Sequence, residues 1–181
     1  MAGRVTDLIR KPASLIPTPA PIVEAGTLAH NLRLMADFFA CRRAKLRPHF
    51  KSHKCVTIAR RQLVNGNAVG ITCAKVSEAK VLAAGGIQDI LIANQIVGQG
   101  KVERVTEPAR ECRLTVAVDD ESQVRQLSAA QAGARATVGV LVEVDVGSSL
   151  RPRPPNLRAL NRVRGLNSWH SRALQSSIRA I

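Results

Sequence analysis

Apolar runs of strand length recur along this chain at a near-constant spacing, and that rhythm limits what it can fold into. KLRPHFKSH (45–53), VGITCAKV (69–76), DILIANQIV (89–97), RLTVAVD (113–119) and TVGVLVEVDV (137–146) read as strands. Between them lie stretches of helical character, at 55–66, 77–86, 100–111 and 121–134. Local chemistry punctuates them. Asn65-Gly66 and Gly85-Gly86 are stop signals, Ser77 and Asp119 or Asp120 are N-cap candidates, and Pro108 is expected to interrupt its helix. An earlier helix over 27–43 places Leu28, Leu32, Met35 and Phe39 on one stripe.

Strand starts roughly 20–25 residues apart, joined by short connections, mean consecutive βα units. Strands that are mostly apolar on both faces suit a parallel sheet covered by helices. An open doubly wound sheet and a (β/α)8 barrel both satisfy this. No GxGxxG follows the first strand, which counts against a dinucleotide-binding domain. A closed barrel needs eight strands and typically ~250 residues. The expected fold class is α/β with about five parallel strands; if the sheet is a barrel, it stops a little past halfway.

Composition refines this reading. Apolar residues make up 45% of the chain and charged residues 22%, a globular balance. Aromatics are 2% and Tyr is absent, which weakens any account built on base stacking. The net charge of +14 points towards polyanions until its distribution is considered. Residues 148–181 hold seven arginines, three of the nine prolines and no acid. A boundary is expected near Gly147, followed by a basic Arg- and Pro-rich tail over 148–181. Cys41, Cys55, Cys73 and Cys112 form no CxxC pair and fit free thiols in a reducing compartment. With no apolar run near ~18 residues and no export signal, a cytoplasmic protein without membrane partners is expected.

The first strand carries the chemistry. In LRPHFKSHK alternate residues share a face, so Arg47, His49, Lys51 and His53 point one way and Leu46, Pro48 and Phe50 the other. A row of four basic side chains needs anionic company, which a barrel mouth supplies. Crowding by cations and partial desolvation favour the neutral amine at Lys51, the setting in which a lysine attacks a carbonyl. A solvated basic patch is the plainer alternative. Glu143 and Asp145 share a face of the fifth strand and are possible counter-charges. His49 and His53 with nearby Cys55 do not make a metal site, because strand residues four apart are separated by ~13 Å.

Several segments together resemble a known family: TPAPIVEAGTLAHNLRLMADF, LRPHFKSHKCVTIARRQL, ITCAKVSEAKVLAAGGIQDILIANQIVG and LVEVDVG. They are similar to the N-terminal half of D-threonine aldolase and D-serine dehydratase-like proteins, fold-type III pyridoxal-phosphate enzymes with an alanine racemase N-terminal barrel. The likeness covers about residues 17–147, which leaves an extension over 1–16, and its RPHxKxHK element is specific; it implies that 17–147 form a partial (β/α)8 TIM-type barrel with the C-terminal β-domain absent. It implies that Lys51 forms the Schiff base with pyridoxal phosphate, with Arg47, His49 and His53 as cofactor-side neighbours. Lys75 and Asn94, at the C-terminal ends of the next two strands, are weaker cofactor-binding candidates. The implied activity is that of a lyase on β-hydroxy D-amino acids, the cofactor acting as electron sink.

In such relatives later strands bring the phosphate-binding loop, and a β-domain brings the ligands of a divalent metal. SSLRPRPPNLRAL resembles neither. The likeness stops at Gly147 and an acid-free segment follows, the pattern of a shifted reading frame or a truncated gene product. A weakly active or inactive chain is the expectation. Family barrels often pair to complete each other's site, which leaves a homodimer open. Two further readings stay open: a non-catalytic pyridoxal-phosphate-binding or regulatory barrel protein, and a basic nucleic-acid-binding protein that rests on net charge alone.

Overall fold

The computed structural model describes residues 10–134 and 136–143. The expectations for Asp145 and for the tail over 148–181 lie outside the described residues. Among the described residues are five α-helices and four strands, helix and strand alternating from α2 onwards: α1 (Ala25–Ala40), α2 (Val56–Val64), β1 (Ile71–Cys73), α3 (Val76–Ala84), β2 (Asp89–Ile92), α4 (Gln99–Glu111), β3 (Arg113–Val118), α5 (Glu121–Ala134) and β4 (Val138–Val142). The strands form one parallel sheet in the order β1-β2-β3-β4, with Ile71 opposite Ile90, Ile90 opposite Leu114 and Leu114 opposite Val138. Each strand joins its neighbour through one helix, the βα repeat expected from the spacing.

The expected first strand is much shorter than 45–53. Only His49 bridges β1, opposite Thr72, and a 3-10 turn over Phe50–Ser52 follows at once. Val69 N–H donates to Leu46 C=O at 3.0 Å and Thr72 N–H to Pro48 C=O at 2.8 Å, so residues 46–49 lie along β1 as a partial fifth strand. Pro48 has no N–H to donate, which weakens a longer ladder.

The two faces of the sheet differ. Ile71, Cys73, Ile90, Ile92, Leu114, Val116 and Val118 point towards the helices and are buried, with Leu82, Val105 and Leu127 packed over them. This helix-side layer is the main hydrophobic core, and its burial is the dominant favourable contribution to folding. The other face carries Gly70, Thr72, Asp89, Leu91, Arg113 and Thr115, as strand alternation requires. It is more polar than a sheet apolar on both sides would be.

Helix ends follow local chemistry, with exceptions. Ser77 lies inside α3, whose N-cap is Lys75. Asp120 serves as anticipated, its Oδ1 accepting from Ser122 N–H at 2.8 Å. Glu24 caps α1, its carboxylate accepting from Gly26 N–H at 2.8 Å and from Thr27 N–H. Hydrogen bonds from Thr27 and Gly26 hold the Glu24 carboxyl down at about 2. Pro108 does not interrupt α4: the helix runs through it, and the ring is buried among core residues. On α1 the inward stripe includes Leu32, which is buried, and Phe39, which is half-buried, while Met35 is exposed. No helix among the described residues is long and apolar enough to cross a membrane.

Candidate active site

The C-terminal ends of parallel strands are where barrel enzymes gather their reactive groups. At that end of this sheet stand Lys51, past the first-strand segment; Lys75, past β1; Asn94 and Gln95, past β2; Asp119, past β3; and Glu143, past β4.

Lys51 is placed by its neighbours. Phe50 is 2% exposed and anchors the 3-10 turn in the core. His49 Nδ1 accepts from Lys51 N–H at 3.1 Å, capping that turn. This side-chain bond ends the extended run, so strand alternation stops at residue 49. Lys51 itself is exposed, and no carboxylate among the described residues pairs with it. The crowded, partly desolvated amine expected from the strand pattern is therefore replaced by an open one. Its exposure leaves the amine reachable from solution.

The other three basic residues of the motif separate from it. Arg47 turns to the N-terminal edge of the sheet. Its Nη1 lies 2.7 Å from Asp89 Oδ1, while Arg113 engages Asp89 Oδ2. That edge is the opposite end of the sheet from Lys51, so the structure places Arg47 with Asp89 and not beside the lysine. Partial burial pushes the Asp89 carboxyl up, but hydrogen bonds and charge from Arg47 and Arg113 outweigh it and hold it below the ordinary value. His53 folds back: its Nδ1 accepts from Cys55 N–H at 3.1 Å, and its ring meets Phe50 edge-on with centroids 5.5 Å apart. With Nδ1 accepting, the proton of a neutral His53 sits on Nε2, which is buried with no partner among the described residues.

The strand-end loops are tied by side chains. Asn94 Nδ2 donates to Ala74 C=O at 2.8 Å, so Asn94 holds the turn after β1. Glu78, which sequence reasoning missed, accepts from Ala74 N–H at 2.8 Å and lies 3.9 Å from Lys54 Nζ. Gln95 Nε2 donates to Glu143 Oε2 at 2.6 Å. Glu143 thus pairs with an amide on β2's loop and not with the basic row. Lys75 is exposed and pairs with no carboxylate among the described residues. The rim grades from lysines on one side to carboxylates on the other.

A cleft of about 560 Å³ opens elsewhere, at the N-terminal side of β3 and β4, lined by Arg110, Cys112, Arg113, Thr115 and Thr137 among others. Its chemistry is already spent. Arg110 donates to Ala134 C=O at 3.0 Å, and Arg113 holds Asp89. Burial pushes the Cys112 thiol up to about 11, with help from Glu111 and Asp89, so it is a poor nucleophile.

Residues 23–153 match the family described as alanine racemase, N-terminal domain. The chain is 43% identical over 136 residues to a D-threonine aldolase of an Arthrobacter species, covering 75% of this chain and 36% of that protein. It is 37% identical over 136 residues to a 3-hydroxy-D-aspartate aldolase of Paracoccus denitrificans, covering 75% and 35%. The crystal structure of D-threonine aldolase from Filomicrobium marinum superposes with a TM-score of 0.76 at 41% identity, over 84% of this chain and 41% of that one. The sheet and helices thus match part of an alanine racemase-like barrel. The chain spans about a third of the length of the curated relatives it matches.

Proposed function

We propose, from the premise that this chain belongs to the alanine racemase N-terminal domain family, that Lys51 is the cofactor-bearing lysine of a pyridoxal-phosphate lyase acting on β-hydroxy D-amino acids. The observation that carries the reading is the placement of the exposed Lys51 amine at the C-terminal end of the sheet, just beyond the bridge that His49 makes to β1, with no carboxylate paired to it among the described residues. Its relatives include aldolases named for D-threonine and 3-hydroxy-D-aspartate, both β-hydroxy D-amino acids. When bound, pyridoxal phosphate supplies an electron sink for bond cleavage at the substrate's Cα.

The chain's own residues have separable tasks in this reading. Lys51 provides the amine. His49 fixes the direction of the turn by accepting the Lys51 N–H. Asn94 and Glu78 hold the loop after β1 through Ala74. Lys75 offers an exposed cation to an anionic group of the cofactor or substrate. The chain spans about a third of the length of these relatives, and turnover by these 181 residues alone is proposed to be slow.

The test is chemical. The chain is incubated with pyridoxal phosphate, reduced with borohydride and digested for mass spectrometry. A pyridoxyl group is expected on Lys51 and not on the same peptide of Lys51→Ala. Equal labelling of Lys45, Lys54, Lys75 and Lys51 would remove the reading, because it would make Lys51 an ordinary surface amine.

A further inference from the structure

Residues 46–49 carry Lys51 to its place, yet they lie at the margin of the sheet. Their carbonyls at Leu46 and Pro48 accept from Val69, just before β1, and from Thr72 in β1, and their far side pairs with no strand among the described residues. Pro48 contributes no N–H. A second hold comes from Arg47. In the parallel register Arg47, Gly70, Asp89 and Arg113 form one row across four strands. The Arg47 guanidinium passes over Gly70, where a Cβ would stand 2.0 Å from Nη1, and reaches Asp89 at 2.7 Å. The clasp skips the adjacent strand β1 and ties the segment to β2.

We propose that Arg47 is a positioning residue for Lys51: by clasping Asp89 across Gly70 it fixes the register of the first-strand segment and so sets where the amine is presented. The proposal rests on the reading of Lys51 as the cofactor lysine. The amine lies four positions beyond the clasp, and His49 and Phe50 between them are each held, by the capping bond and by burial. A register set at Arg47 is therefore transmitted to Lys51. Arg113 is the internal comparison. It binds the same carboxylate but stands on β3, which does not carry the amine.

The experiment measures two things on the full chain. One is the initial rate of borohydride-trapped pyridoxyl labelling at Lys51. The other is hydrogen exchange at the amides of Val69 and Thr72, which report whether Leu46 and Pro48 still sit on β1. Arg47→Gln is expected to slow Lys51 labelling by roughly tenfold or more, the scale of a misplaced reactive group, and to speed exchange at both amides. Arg113→Gln is expected to leave both near wild type, and Arg47→Lys to give intermediate values. Wild-type labelling or wild-type exchange in Arg47→Gln overturns the proposal, as does equal slowing by Arg113→Gln. If Arg47→Gln does not fold, Arg47→Lys decides: slower labelling with faster exchange supports the clasp, and wild-type values of either overturn it. If wild type itself gives no adduct at Lys51, the functional reading falls, while the two exchange rates still judge the clasp.

Discussion

A Cβ on Gly70 would stand 2.0 Å from Nη1 of Arg47 and 2.8 Å from the carbonyl oxygen of Asp89. Glycine is needed here for space, because a guanidinium and a backbone carbonyl already occupy the place of a side chain. Gly70→Ala must expel Arg47 from Asp89 and shift β2 slightly. It is expected to destabilise the chain by about 2 kcal/mol or more, as overpacking of a filled site does. Urea unfolding measures it, and a change below about 0.5 kcal/mol, the range of ordinary surface substitutions, would contradict the packing. In an Arg47→Ala background the same alanine should be less harmful, since the two residues share one space.

Acid should weaken the same row. The native carboxyl of Asp89 lies below its ordinary value, while in the unfolded chain it returns to about 3.9. Between those two values the unfolded state binds more protons, so stability rises with pH. The contribution is complete above about pH 5 and is lost as pH falls through the native value. The urea midpoint of wild type should exceed that of Asp89→Asn at pH 6, and the gap should close towards pH 3. A gap constant over that range would show that Asp89 carries no such contribution.

The rhythm of apolar runs and helical stretches was enough to read the βα order, because both signals are local and repeat. The first strand misled for a local reason as well. Strand alternation assumes an extended chain through 53, but the His49 side chain captures the Lys51 amide and bends the chain into a 3-10 turn. The four cations therefore never form one row, and Arg47 finds its partner 42 residues away. Asp89 and Gly70 left a readable trace. Each opens an apolar strand run, as Gly70 before Ile71–Cys73 and Asp89 before Ile90, and Arg113 does the same before Leu114. Aligning the strands at those starts would have placed glycine, acid and arginine side by side. Glu78 left none, because its role depends on a loop amide whose position only the fold supplies.

Thiol reactivity should report the two-faced sheet. Burial raises the Cys73 thiol to about 12, with a further push from the Glu78 charge, and raises Cys112 to about 11. Cys41 is exposed. Since the thiolate is the nucleophile, iodoacetamide at pH 8 should modify Cys41 first and reach Cys73 and Cys112 only when the chain is unfolded. Mass spectrometry of the peptides over time gives the order. Labelling of Cys73 in the native chain at the rate of Cys41 would contradict the helix-side packing of β1.

The peptide group of Ala74 should be a weak point of the rim when either of its holders is removed. Its N–H donates to Glu78 Oε2 and its C=O accepts from Asn94 Nδ2, both at 2.8 Å. Glu78 is only 9% exposed, so its truncation leaves a part-buried N–H with little access to water. Glu78→Ala is expected to lose about 1–3 kcal/mol of stability, while Asn94→Ala, at an exposed site, should lose about 1 kcal/mol or less. Glu78→Gln keeps an acceptor oxygen and should fall between wild type and the alanine variant. Hydrogen exchange at the Ala74 amide separates the local effect from the global one: it should accelerate in Glu78→Ala far more than exchange at Ile90 in the sheet centre. Equal acceleration at both positions would mean that Glu78 acts on the sheet as a whole, and the account of a side-chain-held loop at the C-terminal end of the sheet would fail.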